Sequence, residues 1–448
     1  TLITATVPSG LNGPAAVDVT NLIGTGSSTL DVKAFIDGIT PDFAVALPTS
    51  ITILGSGFGL VQGTVNFTGV AIDTTIDDWT DTSIDVTVTS GVTTGPVSVT
   101  VNGYTSNTPM FTVGAAQAWS AAGAAIDVDA TASVFPRAAS DSAGDMVVIW
   151  NESDGADLEI FVNEYTAGAW LGAINLSNTA LDSSLAEIVV DAADNFHLVW
   201  QEAGATPEIK YVSGTIGTWG SSETVALTTT TARPVIGVLP DSSVVVAWSE
   251  AGKVVYNVRS GASWGTPADV LTAGTNAVHV AGAVDPAGNF HLAYIDATAL
   301  QHAWFDGSAW NSGGPIDNAP SSTLVSMAAD QLGQLHVFWW NISLNYSAWD
   351  GVSWGVASAL TQTATLPETL DALVDAANVL HVVAEDDSGA EYDIWRDYWT
   401  PAGLAEAGDN ATLSVAGQSK QPCLVVTPDM KVHAFFSQTD FIYPVTWE

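Results

Sequence analysis

The sequence predicts an all-β chain, with β-sandwich structure towards its N-terminal side and a seven-bladed β-propeller after it. Three observations lead there. Short runs alternate apolar and polar residues between Gly, Pro, Asn or Asp punctuation, and no segment keeps a helical period. From residue 119 onward one motif of about 47 residues recurs seven times. The 448 residues, 47% apolar and with 17 Trp, hold enough material for two or three cores.

In the first part, the alternating runs are Ile51-Thr52-Ile53, Thr64-Val65-Asn66-Phe67, Ile84-Asp85-Val86-Thr87-Val88 and Val97-Ser98-Val99-Thr100-Val101. Short strands at this spacing indicate a sandwich. Ile39-Thr40-Pro41, the glycine-rich run Leu54-Gly55-Ser56-Gly57-Phe58-Gly59, Trp79-Thr80-Asp81-Thr82-Ser83, Gly95-Pro96 and the closing Phe111-Thr112-Val113 together resemble an IPT/TIG immunoglobulin-like domain over residues 36–113. That resemblance implies a spacer in a surface protein and no catalytic site. The glycines suit a tight turn with positive φ around Gly55 to Gly59.

Residues 1–35 repeat the second half of the same pattern. Residues 2–7 match the strand after Trp79, Gly13-Pro14 matches Gly95-Pro96, and Phe35 matches Phe111. They are therefore expected to form the C-terminal half of a preceding domain, with Leu2, Val7, Val17, Val19 and Phe35 on its core face. No signal peptide opens the sequence, which suits a processed chain or a fragment. Strands completing the half-domain would lie upstream in a longer polypeptide, or a neighbouring chain would donate them and build a filament. A linker is expected over 114–118.

The repeat is anchored on the aromatic that ends a strongly apolar strand: Trp150, Trp200, Trp248, Tyr294 and Trp339, with Ala384 and Phe436 in the same column. Nine residues before the anchor stand Asp141, Asp191, Asp285, Asp330 and Asp375, and three before it His197, His291, His336, His381 and His433. A second Trp column holds Trp170, Trp219, Trp264, Trp310, Trp354 and Trp399. Seven units of four short strands are the arithmetic of a propeller spanning 119–448. Trp119 and Trp447 extend the second column to eight members around seven intervals. The segment after Trp119 is thus expected to be the outer strand of the last blade, removing the free edges of a linear array. The repeats resemble sialidase-like and lectin propellers in architecture, although no blade carries the sialidase Asp-box Ser-x-Asp-x-Gly-x-x-Trp.

Charge narrows the partners. Nine Lys and Arg against 48 Asp and Glu give −39, which leaves no basic footprint for nucleic acid and disfavours an anionic membrane surface. No apolar run reaches the roughly 18 residues of a membrane span. The acidity fits an extracellular or cell-surface protein of a bacterium or archaeon in a marine or saline habitat. The lone Cys423 forbids an internal disulfide. Six Asn-x-Ser/Thr sequons, the first at Asn66, permit glycosylation.

Among the columns, Asp suits the cap of a turn between two strands, and each His sits a blade apart from the next, too far to share one ion. The Trp columns read as core and inter-blade packing, with sugar stacking as the alternative. The ligand-binding candidates lie two residues past the anchor, at Glu152, Glu202, Glu250, Asp296 and Asp386, with Asn341 and Gln438 in the same column. They are expected on loops of one face, together with Arg137 beside Pro136 and Arg233 beside Pro234. Such a ring could take a glycan or a cation such as Ca²⁺; no other cofactor is implied, and whether a metal binds stays open. The expectation is a non-catalytic adhesion or assembly protein whose propeller head recognises a surface glycan or protein ligand. A sialidase-like glycoside hydrolase and a subunit of an extracellular filament or surface layer are the alternatives.

Overall fold

In the computed structural model the described residues are 13–21, 24–32, 34–40, 43–44, 49–68, 74–88, 92–93, 95–113, 123–127, 132–229, 233–271, 278–296, 299–318, 324–341, 343–360, 369–375, 379–386, 393–399, 411–412, 419–429, 431–438 and 440–447. Every regular element among them is a strand, and none is a helix long and apolar enough to cross a membrane. The chain divides into two compact units, one holding Thr1–Ala118 and the other Trp119–Tyr398 with Asp409–Glu448.

The first unit contains a β-sandwich. One sheet orders Phe35–Thr40, Thr49–Ser56, Ser83–Val88 and Thr74–Trp79. Two three-stranded pieces are built around Ser98–Val101 and Met110–Val113. Ser83–Val88 shows the expected alternation: Ile84, Val86 and Val88 are buried, while Ser83, Asp85 and Thr87 are partly open. They pack with Ile53, Phe58, Val97, Val99 and Phe111 in one core. Gly57 and Gly59 take the positive φ expected of them, 70° and 72°, and a Cβ on Gly55 would strike the Phe35 carbonyl and the Phe58 ring.

Ahead of the sandwich, Gly13–Asn21 and Gly24–Val32 form an antiparallel hairpin with unbroken register from Gly13↔Val32 to Asn21↔Gly24. This hairpin pairs with no third strand among the described residues. Leu2 and Val7, and the side chains of Val17 and Val19, lie outside the described residues, as does the expected linker 114–118. Phe35 corrects the expected half-domain core. It opens the first strand of the sandwich, opposite Ser56, and is 52% exposed, whereas Ala34 beside it joins the sandwich core.

The second unit is the seven-bladed propeller. Its blades cover 134–175, 183–227, 234–269, 278–317, 324–359, 370–412 and 419–447. In each, antiparallel strands run outward from the hub. The innermost strand of every blade touches that of the next, and the first blade's inner strand touches the seventh's, so the ring closes. Trp150, Trp200, Trp248 and Trp339 are fully buried between blades. The apolar second strands explain this: in Met146–Ser153 and Phe196–Glu202 both faces meet a neighbouring blade.

Closure follows the sequence expectation. The seventh blade supplies Ser419–Val426, Val432–Gln438 and Phe441–Trp447 only. Its fourth position is taken by residues 123–127: Gly123 N–H donates to the Pro444 carbonyl at 2.9 Å and Ile126 N–H to that of Ile442 at 3.0 Å. The Asp127 carboxylate accepts the Ile442 N–H at 3.1 Å. Ile126 is buried with Trp150, Cys423, Phe435 and Ile442. Trp119 lies outside the described residues.

Candidate functional site at the propeller hub

The Asp and His columns build turns, not a metal array. Asp141 accepts the Ala143 and Asp145 N–H groups, each at 2.9 Å, and Asp191 repeats this with Ala193 and Asn195. His197 Nε2 lies 3.2 Å from Asp191 and its Nδ1 2.7 Å from the Tyr211 hydroxyl. Burial would raise the Asp191 carboxyl, but the Asn195 side chain and turn N–H groups hold it below its usual range. It is therefore an acceptor, so His197 Nε2–H donates to it and Nδ1 accepts from Tyr211. Blade five repeats the relay through His336 and Tyr346, at 2.8 Å. In blade four His291 donates to Asp285 and accepts from His302, at 3.1 and 3.0 Å. That leaves His302 Nδ1 buried without a partner, and burial drives its pKa down to about 3. No group of three or more His, Cys, Asp and Glu suited to a metal occurs among the described residues.

The expected ring of acids is also largely structural, and its place differs from expectation. Glu152, Glu202 and Glu250 belong to the second strands themselves, at or near their ends, instead of to loops. Two residues along a strand return to the same face, so each can reach back to its anchor Trp. Glu152 accepts the Trp150 indole N–H at 2.6 Å and the Ser133 hydroxyl at 2.9 Å, both inside the protein. Glu250 accepts the Trp248 indole at 3.1 Å and the Thr229 N–H at 2.9 Å. Asp296 caps the turn to Ala299 at 2.8 Å and takes the Gln301 amide at 3.0 Å. Glu202 is buried, with Lys210 Nζ at 4.0 Å, and burial raises its pKa. Asp386 ends its strand, and its side chain lies outside the described residues.

Replacing Glu152 with Ala would leave two buried donors unanswered. A destabilisation on the order of 3 kcal/mol is expected, with Glu152→Gln, which keeps one acceptor, losing clearly less. Chemical denaturation of both variants checks this. A solvated ring carboxylate would instead leave the midpoint of both unchanged.

The two arginines go elsewhere, to the hub. One layer of the inner strands is defined by register: Arg137, Glu187, Val235, Ala281, Ser326, Asp371 and Cys423 each pair with the residue just before the anchor, from Ile149 in blade one to Phe435 in blade seven. Around the circle Asp371, Cys423, Arg137 and Glu187 are consecutive. In four blades the residue two places earlier has positive φ without being glycine: Phe135 at 56°, Leu185 at 58°, His279 at 47° and Gln421 at 55°. The ladder register shifts at each of these places. These are β-bulges, devices that re-aim the following side chains. In blade three Arg233 occupies the equivalent place, directly before Pro234.

A cavity of about 370 Å³ opens at the hub, lined by Arg137, Glu187, Arg233 and Asp371 and by apolar groups including Val235, Val280, Met327 and Leu373. None of the expected ring acids lines it. Arg137 Nε faces both Glu187 oxygens at 3.1 and 3.2 Å, and its terminal nitrogen donates to the Pro136 carbonyl at 2.8 Å. Burial alone would lower the Arg137 pKa, but Glu187, Asp371 and Cys423 together raise it. Asp371 accepts the Leu424 N–H at 2.8 Å and the Ala372 N–H at 3.0 Å. Burial pushes its pKa up to about 6 against the pull of Arg137 and these N–H groups. Arg233 is open to the cavity yet deeply set, so burial and then Arg137 push its pKa down to about 10. Its Nε has no hydrogen-bond partner. Cys423 turns away into the core with Trp150 and Phe435, and burial pushes its thiol beyond reactivity at neutral pH.

No known family model and no curated protein matches this sequence. A solved structure shares its fold. An ulvan lyase of polysaccharide lyase family PL25 superposes with a TM-score of 0.51 at 9% identity, covering 73% of this chain and 95% of the other. The protein AofleA from Arthrobotrys oligospora gives 0.47 at 10% identity, over 68% and 91% of the two chains. An intramolecular trans-sialidase from Ruminococcus gnavus gives 0.43 at 10%, over 71% and 95%.

Proposed function

We propose that the chain is the recognition part of an extracellular or cell-surface protein, whose propeller takes one unit of a carbohydrate into the hub cavity without transforming it. In this reading the sandwich is an IPT/TIG-type spacer. The observation that carries it is the cavity itself, with a volume of about 370 Å³ and walls that alternate apolar side chains with a few charged groups. That size and mixture suit a ligand of sugar dimensions, an apolar ring face with hydroxyls at its rim.

Binding without chemistry is favoured because the acids are committed. Hydrolysis of a glycoside needs two carboxyl groups flanking the bond, one of them free to give a proton. At the hub Glu187 is held by Arg137 and Asp371 by two backbone N–H groups. A second reading, a glycoside hydrolase, draws on one fact: a carboxyl poised at about 6 is suited to general-acid work. A glycan array combined with a chromogenic glycoside panel separates the two. Saturable binding with no turnover is expected. Turnover that disappears in Asp371→Asn would replace the recognition reading with the hydrolase.

A further inference from the structure

We propose that the propeller docks a second partner at its turns, a segment of another protein that carries an apolar side chain flanked by Lys or Arg. Its seat is a cavity framed by blades two, three and four. The site is separate from the hub and does not depend on a sugar bound there.

The cavity has a volume of about 420 Å³ and lies at the turns between the first and second strands of these blades. Val190, Val238 and Val284 line it, one or two residues further along the inner strands than Val189, Ile236 and Gly282, which line the hub. Leu239, Pro240 and Pro286 extend the apolar wall. Both prolines are exposed, as are Ala192 and Ala193 on the turn of blade two. The wall is stiff. Gly288 has a positive φ of 88°, and a Cβ there would stand 2.3 Å from Pro240, so the turn of blade four is seated directly on that ring. A rigid apolar pocket takes up a side chain at low ordering cost.

Blade three departs from the repeat at this place. Leu239 stands where other blades carry Asp191, Asp285 and Asp330, and Val245 stands where they carry His197, His291 and His336. Its turn closes through the backbone, the Leu239 N–H donating to the Ser243 carbonyl at 2.8 Å. The acid has moved two places on, to Asp241, which is exposed and accepts the Ser243 N–H at 2.9 Å. The exchange gives the cavity an apolar floor and sets a carboxylate between two of its lining residues, Pro240 and Ser242.

Charge identifies the partner. The five-residue turns that begin nine residues before each anchor hold nine Asp and one Lys, Lys431, across the seven blades. Lys431 has its own acid, Asp429, at 3.9 Å, and no Lys or Arg lines the cavity among the described residues. Burial would raise Asp191 and Asp285, but Asn195 and Asn289 hold both below the usual carboxylate range, and the Ser243 N–H does so for Asp241. All three are therefore ionised at neutral pH. Acids around an apolar seat attract cations on either side of the residue that fills it, and they steer the encounter. A second copy of this chain is disfavoured, because two such faces would bring like charges together.

Fluorescence anisotropy of the labelled peptide KKLFKK with the full chain tests this, beside KKSSKK and EELFEE. KKLFKK is expected to bind saturably, and the other two at least about 10-fold more weakly. Ala193→Arg adds a cation and bulk at the exposed rim and keeps the N–H that Asp191 accepts. It should melt at the wild-type temperature and weaken KKLFKK about 10-fold or more. Asp241→Asn, which keeps an acceptor for Ser243, should weaken it about 2- to 5-fold at low salt, with the difference shrinking at high salt. Val352→Arg places the same cation on an exposed turn of blade five and should leave binding unchanged. KKSSKK binding as tightly as KKLFKK, or an equal loss in Ala193→Arg and Val352→Arg, would overturn the cavity as the seat. EELFEE binding as tightly would overturn the cationic partner. A wild-type dimer in sedimentation that Ala193→Arg dissolves would assign the face to a second copy instead, and binding of none of the three peptides would sink the docking site altogether.

Discussion

A chain lacking residues 114–128 is expected to lose the cooperative melting of the propeller, although the deletion lies about 300 residues from the blade it damages. The seventh blade has three strands of its own, and residues 123–127 complete it. Without them the N–H of Ile442 loses the Asp127 carboxylate. The Pro444 and Ile442 carbonyls lose their donors, and Asn163 in blade one loses the Ile126 carbonyl it holds at 2.6 Å. Ile126, 3% exposed, also leaves the core shared by blades one and seven. Truncating such an Ile to Ala alone costs about 2–5 kcal/mol. The lost hydrogen bonds add to it, so the total is comparable with the whole stability of a typical domain. Thermal denaturation followed by tryptophan fluorescence is the measurement. A truncated chain melting in one transition at the full-length temperature would sink the interlock, and restored melting on adding a peptide of residues 114–128 would support it.

That prediction was available from the sequence because a propeller repeats. Seven anchors and an eight-membered Trp column fix the number of blades and show that one outer strand must come from elsewhere. The Asp-to-turn relation was legible for the same reason: a residue type recurring at one place in most blades answers a local need of the blade. The acids two places past the anchor looked like a ring ready for a ligand because recurrence shows position but not partner. Their acceptor role became visible only with the anchor indole N–H of Trp150 and Trp248 aimed back at them.

The hub escaped the sequence for a different reason. Its layer holds seven unlike residues, from Arg137 to Cys423, so no column announces it. The bulges that aim it place Phe135, Leu185, His279 and Gln421 at positive φ, a conformation that sequence reasoning expects from Gly or Asn. A bulky residue there is strained, at on the order of 1–3 kcal/mol each. Such strain, tolerated at one level of four blades, lies two residues before hub residues, Arg137, Glu187 and Ala281 among them, that line the cavity. The one readable hint was the pairing of scarce arginines with proline, Arg137 after Pro136 and Arg233 before Pro234.

The second large effect is expected at Arg137. Arg137→Ala should destabilise the propeller by about 3–5 kcal/mol at pH 8, the cost of leaving a buried charge without its partner. Glu187 would lose both contacts to the guanidinium and would share the hub with Asp371. The effect should depend on pH, with a definite sign. In the wild type Asp371 titrates at about 6 in the folded state, above the roughly 3.9 of an unfolded chain. Between those values the folded state holds the extra proton, so this group's stabilising contribution is complete below the unfolded value and is lost as pH rises through about 6. Without Arg137, whose charge pulls the Asp371 pKa down, Asp371 would hold its proton to higher pH, and the window would extend upward. The variant's deficit should therefore be large at pH 8 and shrink towards pH 5. Asp371→Asn, combined with Arg137→Ala, should recover part of the loss at pH 8 by removing one of the two acids. Urea denaturation of the wild type and both variants at pH 5, 6.5 and 8 reads these differences directly, and the acid titrations common to all three chains cancel. A deficit of constant size across that range would mean that Arg137 acts through packing of its stem, and that the hub charges are not coupled.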